Sequence, residues 1–282
     1  MNGIILINKE KEYTSHDVVA IVKKLTKSKV GHTGTLDPNA TGVLPLLIGE
    51  ATKISKYLIN HDKEYEVLLQ LGKKTTTADE EGKVIEEKTV PDIIFCNIQA
   101  NDSKRFDISK DLSDLNIKNT FLENVLKQFI GKQQQIPPIY SAIKVNGKKL
   151  YEYARQGKQV KIKPRNIEIY SIELINFNKE LKRTQVGEFY IKDAITINEF
   201  KEKLEKNDLS NIITIEQIFK DKNEINLQKK YLKQYINGVN LEITKINEKL
   251  NYKNDIYRIY VDNKFIGLGT IENNILKRDL VI

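Results

Sequence analysis

A glycine-rich segment near the amino terminus carries the side chains best suited to chemistry. It spans residues 31–44, which we call the Asp37 segment, and reads G-H-T-G-T-L-D-P-N-A-T-G-V-L. It presents one acid (Asp37), one imidazole (His32) and several hydroxyl groups. It is not a phosphate-cradling loop, because no Gly-Lys-Ser/Thr follows and the G-x-G-x-x-G spacing is absent. From spacing alone, Asp37 is either a turn residue bonded to nearby amides or a catalytic carboxylate.

The charge balance favours a polyanionic partner without proving one. The 282-residue chain has a formal net charge of +8 and a pI of about 9.1. Lys and Arg side chains displace counterions from phosphates, so this surplus suits nucleic acid, although a lysine-rich solvated surface explains it equally well. Cys96 is the only cysteine and the three histidines show no metal-ligand spacing, so we expect no metal site.

The amino terminus and the hydropathy pattern predict a cytoplasmic protein. The first ten residues, M-N-G-I-I-L-I-N-K-E, are charged too early for a signal peptide. No run of eighteen apolar residues is present to span a membrane.

Strand and helix signals surround the Asp37 segment. Residues 4–7 read as a buried strand, and Thr14 with Asp17 predicts a capped helix. Glycines and prolines punctuate residues 27–49, which predicts a structured loop rather than a regular element. The alternating residues 64–71 read as a strand with Tyr65, Val67, Leu69 and Leu71 on one face.

The rest of the chain predicts further capped helices and a strand-rich end. Capping boxes at Thr120 and Thr196 precede apolar residues at helical spacing, and Gly131 is expected to stop the first of these helices. Residues 91–118 are polar and irregular, which predicts a surface insertion. Short strands over residues 255–282 suggest a small β-barrel.

The Asp37 segment resembles the signature loop of the TruB family of pseudouridine synthases, and a match of this length is very specific. The resemblance implies that Asp37 is the catalytic residue and that His32 lies beside the flipped nucleotide, although a loop-capping histidine is the plainer interpretation of His32. Further along, K-E-Y-E-V at residues 63–67 resembles the second family motif. There the resemblance implies that Tyr65 packs on the uracil and helps to move its C5 proton.

The family chemistry explains why one carboxylate suffices. Pseudouridine forms when the N-glycosidic bond breaks, the uracil turns and C5 joins the ribose. Nothing is oxidised and nothing leaves, so no cofactor is expected. A carboxylate can attack the sugar or stabilise the cation-like centre there, as in retaining glycosidases. The target base must first leave its stack.

Other matches concern RNA contacts. Residues 135–157 resemble the family region that lines the RNA-binding face, where Lys144 and Arg155 are the expected contacts. Lys9 begins a weaker match to K-P-x-G-x-T-S, in which glutamates replace the Pro and Gly. The C-terminal strands resemble a PUA module, with Lys277 and Arg278 expected to face RNA.

A family motif is absent from this chain. The resemblance predicts a strand, then a segment reading like C-S-K-G-T-Y-I-R, then a helix before L-R-R-T-x-x-G-x-F. Residues 175–180 instead pass directly into L-K-R-T-Q-V-G-E-F. The motif arginine pairs with the catalytic carboxylate in the family, so its loss predicts slow chemistry. A deletion, a segment omitted between Glu180 and Leu181, and a substitute from elsewhere all remain open, the last being least favoured.

The predicted architecture is a mixed α/β pseudouridine-synthase fold with a twisted sheet and a central cleft, followed by a PUA-like β-barrel. The predicted domains are residues 1–222 and 223–282. The predicted activity is isomerisation of the T-loop uridine of tRNA at position 55, by a monomer that binds the T-arm and no membrane. The alternatives are a catalytically impaired tRNA-binding protein and, less favoured because no second acid is suitably placed, a carboxylate glycosidase.

Overall fold

The computed structural model describes residues 1–77, 79–90, 120–141, 143–158, 160–174, 182–246 and 254–282. The chain forms two compact units. The first comprises Met1–Val67 with Glu180–Ile282, and the second comprises Leu68–Lys179. The predicted insertion over residues 91–118, Cys96 and the junction of Glu180 with Leu181 lie outside the described residues.

The strands of the described part are β1 (Gly3–Lys9), β2 (Val30–His32), β3 (Thr41–Ile48), β4 (Lys63–Glu66), β5 (Lys73–Thr75), β6 (Val84–Glu87), β7 (Gly131–Gln135), β8 (Lys144–Val145), β9 (Lys148–Lys149), β10 (Arg165–Ile169), β11 (Lys182–Val186), β12 (Phe189–Tyr190), β13 (Glu224–Asn226), β14 (Leu241–Glu242), β15 (Ile256–Val261), β16 (Lys264–Glu272) and β17 (Ile275–Val281). Its α-helices are α1 (Ser15–Thr26), α2 (Ser55–Leu58), α3 (Thr120–Lys127), α4 (Leu150–Arg155), α5 (Ile197–Glu205), α6 (Ile215–Ile218), α7 (Lys229–Ile236) and α8 (Ile243–Ile246). Short 3-10 turns cover Gly49–Ile54 and Ile191–Asp193.

A mixed sheet forms the centre of the first unit. Strand β3 pairs antiparallel with β1 and β2, while β11 runs parallel to β3 and antiparallel to β4 and β12. Successive side chains of a strand point to opposite faces, and both faces of β1 are covered. Ile5 and Ile7 pack with the buried side of α1, whereas Ile4 and Leu6 belong to a second apolar cluster. The predicted strand over residues 4–7 is thereby confirmed.

The predicted helix starts are confirmed where their caps are described. The Thr14 hydroxyl accepts a hydrogen bond from the Asp17 amide, and the Asp17 carboxylate accepts one from the Thr14 amide. Thr196 and Glu199 make the same reciprocal pair at the start of α5. Each box satisfies amides that a helix terminus otherwise leaves unpaired.

The prediction that residues 27–49 form a loop throughout is wrong. They contain β2 and the eight residues of β3, from Thr41 to Ile48. Both faces of β3 are buried, so its sequence is a continuous apolar run with no alternation to mark a strand. Pro45 is tolerated because it lies between the residues of β3 that pair with β11 and those that pair with β2.

Two further boundaries differ from the sequence-based expectation. The strand predicted over residues 64–71 ends at Glu66, because its partner β11 pairs only with Lys63–Glu66. The apolar residues beyond it are largely exposed, Val67 at 65% and Leu69 at 70%. Helix α3 ends at Lys127, and Gly131 begins strand β7 instead of stopping the helix.

The C-terminal strands form a sheet of their own within the first unit. Its order is β13-β15-β16-β17-β14, and the predicted strands over residues 255–282 are confirmed. Tyr257 and Ile259 of β15 share an apolar cluster with Tyr235 of α7. Leu268 and Leu280 pack instead in the cluster that contains Ile4. The boundary at residue 222 and the PUA-like character of this sheet stay predictions.

Strand pairs and short helices make up the described part of the second unit. β7 pairs antiparallel with β10, and β5 pairs antiparallel with β6. β8 and β9 form a hairpin around Asn146 and Gly147, whose positive φ angles of 50° and 82° suit a tight two-residue turn. Within the part of the chain that the structure describes, no helix is long and apolar enough to cross a membrane.

Candidate active site

The Asp37 segment is anchored on both sides of the acid. Before it, the buried Ser15 hydroxyl accepts a hydrogen bond from the Leu36 amide at 2.8 Å and donates to the Leu36 carbonyl at 3.0 Å. After it, the Lys9 ammonium donates to the Pro38 carbonyl at 2.9 Å. Asp37 itself is exposed. These contacts hold the backbone while leaving the carboxylate accessible to a substrate.

Lys9 lies beneath this segment and not on the surface. Its side chain is 0% exposed, and its ammonium also donates to the carbonyls of Tyr13 at 2.6 Å and Glu10 at 2.9 Å. Burial lowers the pKa of Lys9, while the negative charges of Asp37 and Asp17 oppose that shift. Three carbonyl acceptors match the three donors of an ammonium group. A contact between Lys9 and RNA stays a prediction, and the geometry favours a supporting role.

The turn between Lys9 and Ser15 keeps a glycine-like conformation without glycine. Glu12 has φ of 73°, in the left-handed region, and its amide donates to the Pro38 carbonyl at 2.9 Å. This is the position where the family pattern has Gly. The turn therefore contacts the Asp37 segment even though a residue with a Cβ atom is strained there.

We expect Glu12→Gly to stabilise the protein. The substitution relieves the left-handed strain, although glycine also gains entropy in the unfolded chain, so the net gain is about 0.5–1 kcal/mol. Thermal unfolding of wild type and variant measures it. Glu10→Gly is the matched control, because Glu10 has no positive φ and should lose stability. A melting temperature that falls in Glu12→Gly would contradict the strain argument.

His32 is a half-buried, neutral imidazole at the start of the Asp37 segment. Its ring meets that of His16 edge to face, with 5.7 Å between centroids. Burial, with smaller contributions from the charges of His16 and Arg183, lowers the pKa of His32. The imidazole is therefore neutral at pH 7. In the described part of the chain, His32 Nδ1 and the buried Thr33 hydroxyl lack a hydrogen-bond partner.

Tyr65 and Arg183 lie side by side on neighbouring strands. Tyr65 on β4 is the direct cross-strand neighbour of Arg183 on β11, and Arg183 is in turn aligned with Gly42 on β3. Tyr65 is 42% exposed, whereas Arg183 is fully buried. Their side chains interact electrostatically, and this interaction raises the pKa of Arg183. Three consecutive strands thus bring the Asp37 segment and Tyr65 together around one guanidinium.

The Arg183 guanidinium reaches both flanks of the Asp37 segment. Its Nε donates to the Val43 carbonyl at 2.9 Å, and its Nη2 donates to the Gly34 carbonyl at 3.2 Å. Burial lowers the pKa of Arg183, and the interaction with Tyr65 opposes that shift. The sequence interpretation ranked an arginine from elsewhere as least likely to serve this region. The single available signal was the match of residues 181–189 to L-R-R-T-x-x-G-x-F, which says nothing about where the side chain points.

The other predicted RNA contacts belong to other elements of the chain. Lys144 in β8 and Arg155 at the end of α4 are exposed residues of the second unit. Lys277 in β17 pairs with Glu272 at 2.5 Å. Arg278 donates to the carbonyl of Ile236 at the end of α7. The last two cations therefore have protein partners, and their contacts to RNA stay predictions.

Comparison with solved structures supports the fold. The chain aligns with a structure of an H/ACA ribonucleoprotein bound to a substrate RNA containing 2'-deoxyuridine, over 99% of this chain and 84% of that one. The TM-score is 0.55 and the identity 18%. A Cbf5-Nop10-Gar1 complex matches with a TM-score of 0.53, at 18% identity, over 95% of this chain and 78% of that one. The predicted mixed α/β pseudouridine-synthase fold is confirmed.

Sequence comparison identifies the family. The model of the TruB family pseudouridylate synthase N-terminal domain matches residues 22–103 and 93–192. The tRNA pseudouridine synthase B of Clostridium tetani is 35% identical over 303 aligned positions, which cover 95% of each chain. The enzyme of the same name from Caldanaerobacter subterraneus is 35% identical and covers 96% of each chain. This chain therefore belongs to the TruB family of pseudouridylate synthases.

Proposed function

We propose that this protein converts a uridine of tRNA to pseudouridine, with Asp37 as the catalytic carboxylate. The observation that carries the proposal is the exposed Asp37 side chain on a segment anchored by Ser15 and Lys9. The relatives named tRNA pseudouridine synthase B support the reaction and its substrate class. A tRNA substrate also makes the cytoplasm the expected location.

The reaction we propose is an isomerisation within one nucleotide. The bond between ribose C1′ and uracil N1 breaks while Asp37 attacks C1′ or stabilises the positive charge that develops there. The released uracil turns, its C5 bonds to C1′, and the C5 proton leaves as N1 gains one, so no atom is lost. Tyr65, exposed beside the Asp37 segment, is placed to pack on the base and to assist this proton transfer.

Within tRNA, we propose that the protein binds the T-arm and that the uridine at position 55 is its target. We place His32, a half-buried and neutral imidazole of the Asp37 segment, beside the flipped nucleotide. We expect the protein to act as a monomer. A tRNA transcript in which the position-55 uridine is replaced by cytidine should acquire no pseudouridine in the T-loop.

The direct test measures pseudouridine in tRNA after incubation with the purified protein. Nuclease digestion followed by mass spectrometry locates the modified nucleotide. The bond between base and ribose fragments differently in pseudouridine and in uridine. Product at position 55 is the expected result. Tight tRNA binding without any product would support the alternative, a tRNA-binding protein that has lost the chemistry.

The alternative is favoured by one observation, the missing K-G-T-Y-x-R motif. Alignments with relatives run over 303–314 positions, more than the 282 residues of this chain, so the relatives contain residues that this chain lacks. Another observation argues against this alternative, because Arg183 supplies a guanidinium next to the Asp37 segment. The two assays together, tRNA binding and pseudouridine formation, separate the candidates.

We expect tRNA affinity to fall steeply as salt rises. If about four Lys or Arg side chains contact phosphates, raising monovalent salt from 50 to 200 mM should weaken binding on the order of 100-fold. The exposed Lys144 is a candidate contact, so Lys144→Gln should reduce the slope of log K against log salt by about one. Lys53, which pairs with Glu50, is the control position and Lys53→Gln should leave the slope unchanged. Affinity independent of salt would contradict phosphate binding by these cations.

A further inference from the structure

Arg183 is the largest side chain that the structure buries completely. Taking a guanidinium out of water is costly unless its donors find acceptors, and an isolated buried charge costs more still. Arg183 donates to two backbone carbonyls and lies beside Tyr65 on the neighbouring strand. Among the residues that the structure describes, no carboxylate pairs with it. An apolar side chain of similar size would therefore stabilise the fold about as well as the charged Arg183 does.

The two carbonyl acceptors of Arg183 lie in the Asp37 segment, one before and one after Asp37 in the chain. The Gly34 and Val43 carbonyls lie 149 and 140 residues before Arg183 in the chain, one on each side of the acid. The cross-strand neighbour of Arg183 is Tyr65, the aromatic residue assigned to the base. Arginine suits this arrangement because its planar fork fixes donors in several directions at once, whereas lysine offers a single point.

Gly42 makes this approach possible. A Cβ atom on Gly42 would lie 2.2 Å from the Arg183 carbonyl oxygen and 2.6 Å from its nitrogen. The backbones of β3 and β11 are therefore in close contact at Gly42 and Arg183. A Cβ atom on Gly34, by contrast, would lie 3.5 Å from Arg183 Nη1, which is an ordinary contact.

We infer that Arg183 is the positioning residue of this active site, holding both flanks of the Asp37 segment and the neighbouring Tyr65 in one fixed arrangement. The inference rests on the proposed function. It gives the chain a guanidinium at the catalytic segment from strand β11, although the K-G-T-Y-x-R motif is absent. Arg183 acts through Asp37 and Tyr65 and does not itself touch the substrate, since it is fully buried.

The test compares two lysine substitutions at similar arginines. Arg258 links a backbone carbonyl, that of Lys222 at 2.9 Å, to a tyrosine hydroxyl, that of Tyr260 at 3.0 Å, but it does so in the C-terminal sheet. Arg183→Lys should lower the single-turnover rate of pseudouridine formation on the order of 100-fold, since small misplacements of reacting groups have effects of this size. Its dissociation constant for tRNA should change by less than about threefold. Arg258→Lys should leave the rate within about twofold, whatever its effect on melting temperature.

Two further measurements separate positioning from simple loss of structure. In a Tyr65→Phe background, Arg183→Lys should slow the reaction much less than in wild type, because we infer that part of its effect passes through Tyr65. Amide hydrogen exchange should increase in residues 34–43 and 63–66 in Arg183→Lys, and near residues 222 and 258–260 in Arg258→Lys.

Each outcome decides the inference. A rate in Arg183→Lys within about threefold of wild type, or equal losses of rate in both lysine variants, would overturn it. So would unchanged hydrogen exchange in the two segments. A wild-type protein that forms no pseudouridine would reject the proposed function itself, and the exchange data would still report whether Arg183 holds these segments.

Discussion

Asp37→Asn is expected to abolish pseudouridine formation while tRNA binding persists. Asparagine keeps the size of the side chain and its exposed position, but an amide neither attacks the sugar nor balances a positive charge there. The backbone anchors from Ser15 and Lys9 do not involve the Asp37 carboxylate, so the segment should keep its conformation. We expect the rate to fall by at least about 10³-fold, the range seen when a nucleophile is removed.

The measurement is the yield of pseudouridine under single-turnover conditions, with tRNA affinity determined in parallel. Asp193→Asn is the matched control, because Asp193 is an exposed carboxylate of the same unit and its removal changes the net charge equally. The dissociation constant for tRNA should shift little and similarly in both variants. An Asp37→Asn protein with a rate within about tenfold of wild type would exclude Asp37 as the catalytic group.

Among glycine-to-alanine substitutions in the Asp37 segment, Gly42→Ala is expected to cause the largest loss of stability. Gly42 has φ of 109°, and the new Cβ atom would lie 2.2 Å from the Arg183 carbonyl oxygen. Backbone atoms have to move apart to admit it, which breaks the alignment of β3 with β11. The cost should be about 2–4 kcal/mol. For a chain of this size, that corresponds to a melting temperature roughly 6–12 °C lower.

Gly34→Ala is the control within the same segment. Its φ angle is not in the left-handed region, and the added atom would meet its nearest neighbours at 3.5 Å. Its stability should therefore change by less than about 0.5 kcal/mol. Thermal unfolding of both variants decides between the two positions. Equal melting temperatures for Gly42→Ala and wild type would show that β11 does not approach β3 as closely as described.

Local signals in the sequence predicted local structure well. The capping boxes at Thr14 and Thr196 depend on residues three positions apart, and both are present. The turn between β15 and β16 places Asp262 and Asn263 at positive φ, a conformation that Asp and Asn tolerate. The Asp37 segment also identified the family, because a match over fourteen residues is specific even when the surrounding structure is unknown.

Strand β3 shows where local patterns fail. Its residues are apolar on both faces because α1 covers one side of the sheet and a second apolar cluster covers the other. Alternation disappears under these conditions, and Gly42 and Pro45 then suggested a loop. Only the pairing with β1, some forty residues away, identifies the segment as a strand.

The sequence by itself determined the family, the catalytic candidate Asp37, the stacking candidate Tyr65 and the capped helices. The tertiary structure alone decided that Lys9 is buried under the Asp37 segment and that Arg183 joins this segment to Tyr65. The reason is physical. Caps and turns are set by neighbours within a few residues, whereas the surroundings of a buried charge depend on strand register across more than a hundred residues, and no local periodicity specifies that register.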